Sequence, residues 1–148
     1  MKYWKFNLAE SELSKDVDVI KHTSIHKDIE SVINLFNSEI EWDDMYSIDD
    51  CVERFNDGCF CFVLYQEQQP IGIHWYYDIR PNVFGFNAFI SKNKKNQNRI
   101  SQKFFDTMCN ILYKEGYQTY IAYCDDWNDK MWYSCLLYTS DAADDFDC

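Results

Sequence analysis

Four cations, Lys92, Lys94, Lys95 and Arg99, stand within eight residues of a chain whose formal charge is −11. They directly precede a segment with helical apolar spacing. The free N–H groups and the dipole at a helix start attract anions, and cations beside them add to that field, so these residues suit a phosphate or pyrophosphate group. An ordinary solvated basic loop fits the same residues; a nucleic-acid contact fits poorly, because only one short patch is basic. Asp125 and Asp126 follow an apolar strand-like run and are the carboxylates best placed for a general base acting through water. Capping the next helix is their other reading. His74, between Ile73 and Trp75, reads as a core or sheet-face histidine ahead of a base. Cys59-Phe60-Cys61 lacks the second pair that tetrahedral zinc needs, so no metal is expected. Trp75, Tyr76, Tyr77, Trp127, Trp132 and Tyr133 could line a pocket for a cationic amine or equally pack a core.

These residues need elements to position them, and 148 residues at 47% hydrophobic suffice for one domain with a real core. Scarce Gly and Pro exclude collagen-like and low-complexity chains. No apolar run approaches the ~20 residues of a membrane span, and the first residues lack a secretion signal, which leads to a cytoplasmic expectation. A pI near 4.5 argues against general nucleic-acid binding. Residues 1–16 read as an extension of uncertain structure. Asp16 to Lys21 alternates as a strand. A helix opens near Ser24 and buries Ile29, Val32, Ile33, Phe36 and Ile40; a second starts at the capping box Ser47 to Asp50, turns Cys51, Val52 and Phe55 inward, and stops at Gly58. Strands follow at Cys59 to Gln66 and Ile71 to Ile79, joined through residues 67–70, and at Val83 to Ile90, where Gly85 marks a bulge or a close approach. A helix from Ile100 closes at Gly116, Thr119 to Cys124 is a strand, and Asn128 opens a last helix. The order β-α-α-β-β-β-α-β-α makes an α/β (α+β) fold, a mixed sheet with helices on both faces.

Cys135 to Asp144 resembles the reading-frame translation of a transposase sequencing adapter, TGT CTC TTA TAC ACA TCT GAC GCT GCC GAC. That resemblance implies a non-native tail at 135–148, no defined packing after Ser134, and a natural protein that continues past it. Without the tail the formal charge is −7 and five cysteines remain, an odd number that suits reduced core thiols. The lost strands would then leave Thr119 to Cys124 as an exposed apolar edge.

Between Val17 and Ser134 the element order resembles the GNAT family of N-acetyltransferases. Pro70-Ile71-Gly72 looks like the family's entry into its third strand, Phe89-Ile90-Ser91 like the end of its fourth, and Asn128 like the Asn opening its fourth helix. The family's pyrophosphate loop carries Arg or Gln, two residues, Gly, one residue, then Gly or Ala. Asn96, Arg99 and Ser101 hold those positions, without a glycine. The resemblance implies acetyl-coenzyme A as co-substrate, with Phe89, Ile90, Ser91, Asn96, Gln97, Asn98, Arg99, Ile100, Ser101 and Asn128 as its binding residues. It implies an amine of a small molecule or protein as acceptor, attacking the thioester directly. It also implies a backbone N–H around Phe89 to Ser91 facing the oxyanion, Asp125 or Asp126 as base, and a Tyr acid seven residues after Asn128, at the first residue of the tail. A homodimer is compatible with it; nucleic acid, a membrane and a metal are not among the expected partners. The other reading is a catalytically inactive member of this fold serving as a binding or interaction module.

Overall fold

The strand Cys59–Gln66 is buried along almost its whole length, with Cys59, Cys61, Val63 and Tyr65 in one apolar cluster and Phe60, Phe62 and Leu64 in another. Successive side chains on a strand point to opposite faces, so a run apolar at every position requires cover on both. The computed structural model describes residues 2–9, 17–40, 46–95, 97–124 and 145–147. Its elements in chain order are β1 Lys2–Asn7, β2 Asp18–His22, α1 Lys27–Glu39, α2 Ile48–Asn56, β3 Cys59–Gln66, β4 Gln69–Ile79, β5 Asn82–Ile90, α3 Ile100–Lys114, β6 Thr119–Cys124 and β7 Asp145–Asp147. The sheet runs β2-β3-β4-β5-β6-β1-β7. Only β5 and β6 pair in parallel, joined by the crossover helix α3; the other pairs are antiparallel. The expected mixed α/β architecture is therefore present, with β1 and β7 added to it. The anticipated helix from Asn128 lies outside the described residues.

Ile100, Phe104, Phe105, Met108 and Leu112 of α3 pack on Phe60, Phe62, Tyr76, Val83 and Tyr120. The other face is covered by α1 and α2, where Ile29, Val32, Ile33 and Cys51 meet Val63, Ile73, Trp75 and Phe89. The helix starts follow local chemistry. Ser47 and Asp50 form the expected reciprocal capping box. α1 is capped by His26 and not from Ser24: the His26 Nδ1 accepts the Asp28 N–H at 3.0 Å. His22 is half-buried, its Nε2 3.3 Å from the Tyr65 hydroxyl. Val52, expected inward, is exposed, because α2 turns Cys51 to the sheet and the adjacent position lies about 100° around the helix.

The β3–β4 connection is tighter than the sequence suggested. Glu67 and Gln68 alone make the turn, both at positive φ (51° and 67°), the geometry that matches strand twist in two-residue hairpins. Gln69 and Pro70 already belong to β4. Residues 2–7, read as part of an extension, form β1 and pair antiparallel with the whole of β6, from Lys2 opposite Cys124 to Asn7 opposite Thr119. This overturns the expectation of an exposed Thr119–Cys124 edge: β1 runs along all of β6 on one side, and β5 pairs with it from Thr119 to Ala122 on the other. Of the residues beyond Ser134, 145–147 are described. They pair with Lys2–Trp4 of β1, where no packing was expected, since an extended segment can add to the open ladder of an outer strand. Among the described residues, no helix is long and apolar enough to cross a membrane.

Candidate functional site

Gly85 and its neighbours set the site's geometry. β5 and β6 stay in register from Asn82–Thr119 to Gly85–Ala122, and their described pairing ends there, while β5 continues to Ile90. A Cβ at Gly85 would collide with the hydroxyl and ring of Tyr120, so of its two readings Gly85 is the close approach. The bulge lies just after it. Trp75 pairs with Phe86 and Ile73 with Phe89, so Asn87 and Ala88 stand opposite His74 alone, with Asn87 at φ 50°. Past the bulge the Ser91 N–H donates to Ile71 O at 2.8 Å, across to β4. Strand alternation then turns the Ile90 N–H the other way, toward the gap beside β6. Of the three residues expected around the oxyanion, Ser91 has its N–H taken by Ile71, and the Ile90 N–H points to the opposite side of β5.

The basic segment folds onto the α3 start as a series of tight turns. Lys94 and Lys95 N–H both donate to Ser91 O at 2.9 Å, Gln97 N–H to Lys94 O at 3.0 Å, and Ile100 N–H to Gln97 O at 2.9 Å. Asn98 (φ 48°) and Arg99 (φ 58°, ψ 39°) are both left-handed. Arg99, read from the resemblance as standing at a glycine position, adopts the left-handed backbone that glycine takes freely, at a cost of roughly 1–2 kcal/mol for an L-residue. No side chain caps α3, and its first turn carries no acid. Ser101 donates weakly to Lys95 O at 3.4 Å. Phe89, Ile90, Ser91, Gln97, Asn98, Arg99, Ile100 and Ser101 are thus contiguous around the end of β5 and the start of α3. Asn96, Asp125, Asp126 and Asn128 lie outside the described residues.

Two groups in this region had no sequence signal. Glu39, the last residue of α1, accepts the Ser91 hydroxyl at 2.8 Å and the Lys92 N–H at 2.6 Å, tying that helix end to the basic loop. A carboxylate at a helix C-terminus is disfavoured by the dipole, and these donors offset that cost. Arg54 of α2 stands over Tyr46, Phe86 and Trp75, its Cζ 4.4, 5.0 and 5.1 Å from their ring centroids. The Trp75 face, a candidate for a cationic acceptor, is therefore already held by the chain's own guanidinium. Both contacts join residues distant in sequence, and neither spacing nor composition encodes them.

The other polar groups belong to the core. His74 is 1% exposed, and burial lowers its pKa to about 3. Its Nε2 is 3.1 Å from the Tyr120 hydroxyl and its Nδ1 is 3.2 Å from that of Tyr76, which donates to Met108 Sδ at 2.9 Å. One neutral tautomer serves all three contacts: Tyr120 donates to Nε2, Nδ1–H donates to Tyr76, and Tyr76 donates onward. Tyr76 thus belongs to the core, while Tyr77 is exposed and stacks on Phe86 at 4.7 Å. Burial raises the thiols of Cys51, Cys59 and Cys61, and Arg54 opposes that shift without reversing it, so none is an activated nucleophile.

No family model matches the chain, and no curated protein sequence does. Solved structures do. An aminoglycoside acetyltransferase from an uncultured soil metagenomic sample, in complex with sisomicin, superposes with a TM-score of 0.70 at 14% identity, covering 93% of this chain and 96% of its own. A spermidine N-acetyltransferase chimera from Vibrio cholerae and hSSAT gives 0.61 at 14%, covering 82% and 80%. An acetyltransferase of the GNAT family from Staphylococcus aureus gives 0.56 at 14%, covering 80% and 79%. With its meander, its crossover helix and the parallel pair that parts after Gly85, this chain has the fold of the GNAT acetyltransferases.

Proposed function

We propose that the protein is an acetyl-coenzyme A-dependent N-acetyltransferase. The observation that carries this reading is the parting of β5 from β6 after Gly85, next to a bulge and an Ile90 N–H turned into the gap. The chain's groups fit the co-substrate. Asn98 and Arg99 adopt the left-handed turn without glycine, and Lys92, Lys94, Lys95 and Arg99 bring positive charge to an α3 start free of acid. When bound, the thioester supplies an activated acyl carbon. Around it the α3 N-terminus holds the pyrophosphate, and Ile90 N–H stabilises the developing oxyanion. Asp125 or Asp126 takes the amine's proton through water, and Asn128 helps hold the coenzyme at the opening of the next helix. The new N–C bond forms as the C–S bond breaks, and the thiolate leaves to be protonated by an acid or by solvent. Buried thiols at Cys51, Cys59, Cys61 and Cys109 suit a reducing cytoplasm, and a homodimer is compatible with this reading.

The Cβ that Arg99 places in the phosphate loop favours a second reading, a binding module that has lost catalysis. Calorimetry with acetyl-coenzyme A, followed by thiol release with a panel of amines, separates the two. Binding is expected, and Lys95→Glu with Arg99→Glu should weaken it roughly tenfold or more and reduce its salt dependence. Binding without thiol release would favour the module, and no binding at millimolar coenzyme would overturn the enzyme reading.

A further inference from the structure

We propose that Arg54 reads a carboxylate on the acceptor, so that the acceptor is an amine that also carries a carboxylate, as an α-amino acid does. The inference rests on the acetyltransferase reading for the position of the reacting centre. Phe86 follows Gly85, the last residue of β5 in register with β6, and directly precedes the bulge. Arg54 lies over Phe86 and over its cross-strand partner Trp75, on the α1–α2 face of the sheet. Its guanidinium therefore lies over the β5 residue that follows the last β5–β6 pair.

Among the described residues, Arg54 Nη1, Trp75 Nε1 and the Tyr46 hydroxyl are shut off from solvent and lack a hydrogen-bond partner, and the first two can only donate. Trp75 is fully buried. Arg54 has no ion pair among the described residues, although Asp49, Asp50, Glu53 and Asp57 share or flank its helix. Buried donors left unmade are costly, and a carboxylate, with two oxygens and about four lone-pair directions, is a group that satisfies such donors. The three rings around Arg54 hold its planar fork in place before any ligand arrives, which reduces the ordering cost of a bidentate pair.

A fixed guanidinium near the acceptor nitrogen has a second effect. It disfavours the ammonium form, and only the neutral amine attacks a thioester. The same charge repels polycations. Acceptors of the kind named for the neighbouring structures, an aminoglycoside or spermidine, should therefore be poor substrates beside an amino acid.

The test pairs a panel of α-amino acids with their amides on the protein holding acetyl-coenzyme A. In 15N-edited spectra the Trp75 indole N–H should shift with acids and not with amides. In thiol-release kinetics kcat/KM should favour the acid roughly ten- to hundredfold, the range for a hydrogen bond to a charged group. Arg54→Met should abolish both differences, and Arg54→Lys should restore part of the preference. Trp75→Phe, which removes one donor and keeps an aromatic face for Arg54, should reduce the preference and guards against misfolding of the first variant. Acid and amide shifting Trp75 alike, no shift with any acid, or an unchanged preference in Arg54→Met would overturn the proposal. An acid-dependent shift without turnover would support it and overturn the transferase reading instead. Turnover of polyamines with no acid preference would do the reverse.

Discussion

At the scale of single residues, His74 has the clearest measurable consequence. Its pKa is about 3 in the folded chain, against an ordinary 6.5, because burial penalises the imidazolium. The unfolded chain therefore binds a proton below pH 6.5 that the folded chain refuses. The neutral histidine's contribution is complete above pH 6.5 and is lost as pH falls from 6.5 toward 3, at a slope of about 1.4 kcal/mol per pH unit. Urea unfolding of the protein and of His74→Gln at pH 7.5 and pH 5 should show a larger acid loss in the unmodified chain. Parallel losses in the two would mean that other groups carry the acid sensitivity. The tyrosines are part of the same account, since their hydroxyls are tied to one tautomer.

At the scale of elements, the turn into α3 holds an Arg where backbone geometry favours glycine. Arg99→Gly should relieve the left-handed strain but add freedom to the unfolded chain, for a net gain of about 0.5–1 kcal/mol. Ser101→Gly, one residue inside the helix, should instead cost about 0.5–1 kcal/mol, because there glycine brings only lost entropy. Thermal melts of the two variants should therefore move in opposite directions. Equal movements would show that the Arg99 side chain, through its other interactions, compensates for its backbone. Glu39 belongs to this scale as well, since it joins the end of α1 to the loop that precedes α3.

At the scale of the molecule, the parallel β5–β6 pair depends on cover from the far end of the chain. β1 lies along all six residues of β6, and removing residues 1–7 would expose Tyr120-Ile121-Ala122-Tyr123 as an apolar edge. Such an edge templates association, so the shortened chain should scatter light and sediment at concentrations where the whole chain stays monodisperse. A truncated chain as well behaved as the whole would show that β6 needs no partner on that side. The fold also places the two candidate sites differently. The proposed phosphate-binding loop is built by sequence neighbours, whereas the proposed acceptor face is built by α1, α2, β4 and β5 together.

That difference separates what the sequence by itself determined from what only the tertiary structure decided. Strand-like apolar runs at Cys59 to Gln66 and Thr119 to Cys124, the box at Ser47 and Asp50, and the apolar stripe from Ile100 are local patterns, and each is present where it was read. The basic loop ahead of α3 was legible for the same reason, because its residues are consecutive. β1 was not legible: a strand at the edge of a sheet is decided by which ladder lies open, and residues 2–7 pair with residues more than a hundred positions away. Which of its two readings Gly85 takes was decided by the Tyr120 ring from another strand, which makes it a close approach and leaves the bulge to Asn87–Ala88. Glu39 and Arg54 carried no local signal at all. Their roles come from a helix end meeting a loop and from three rings converging on one guanidinium, and proximity of that kind exists only once the chain has packed.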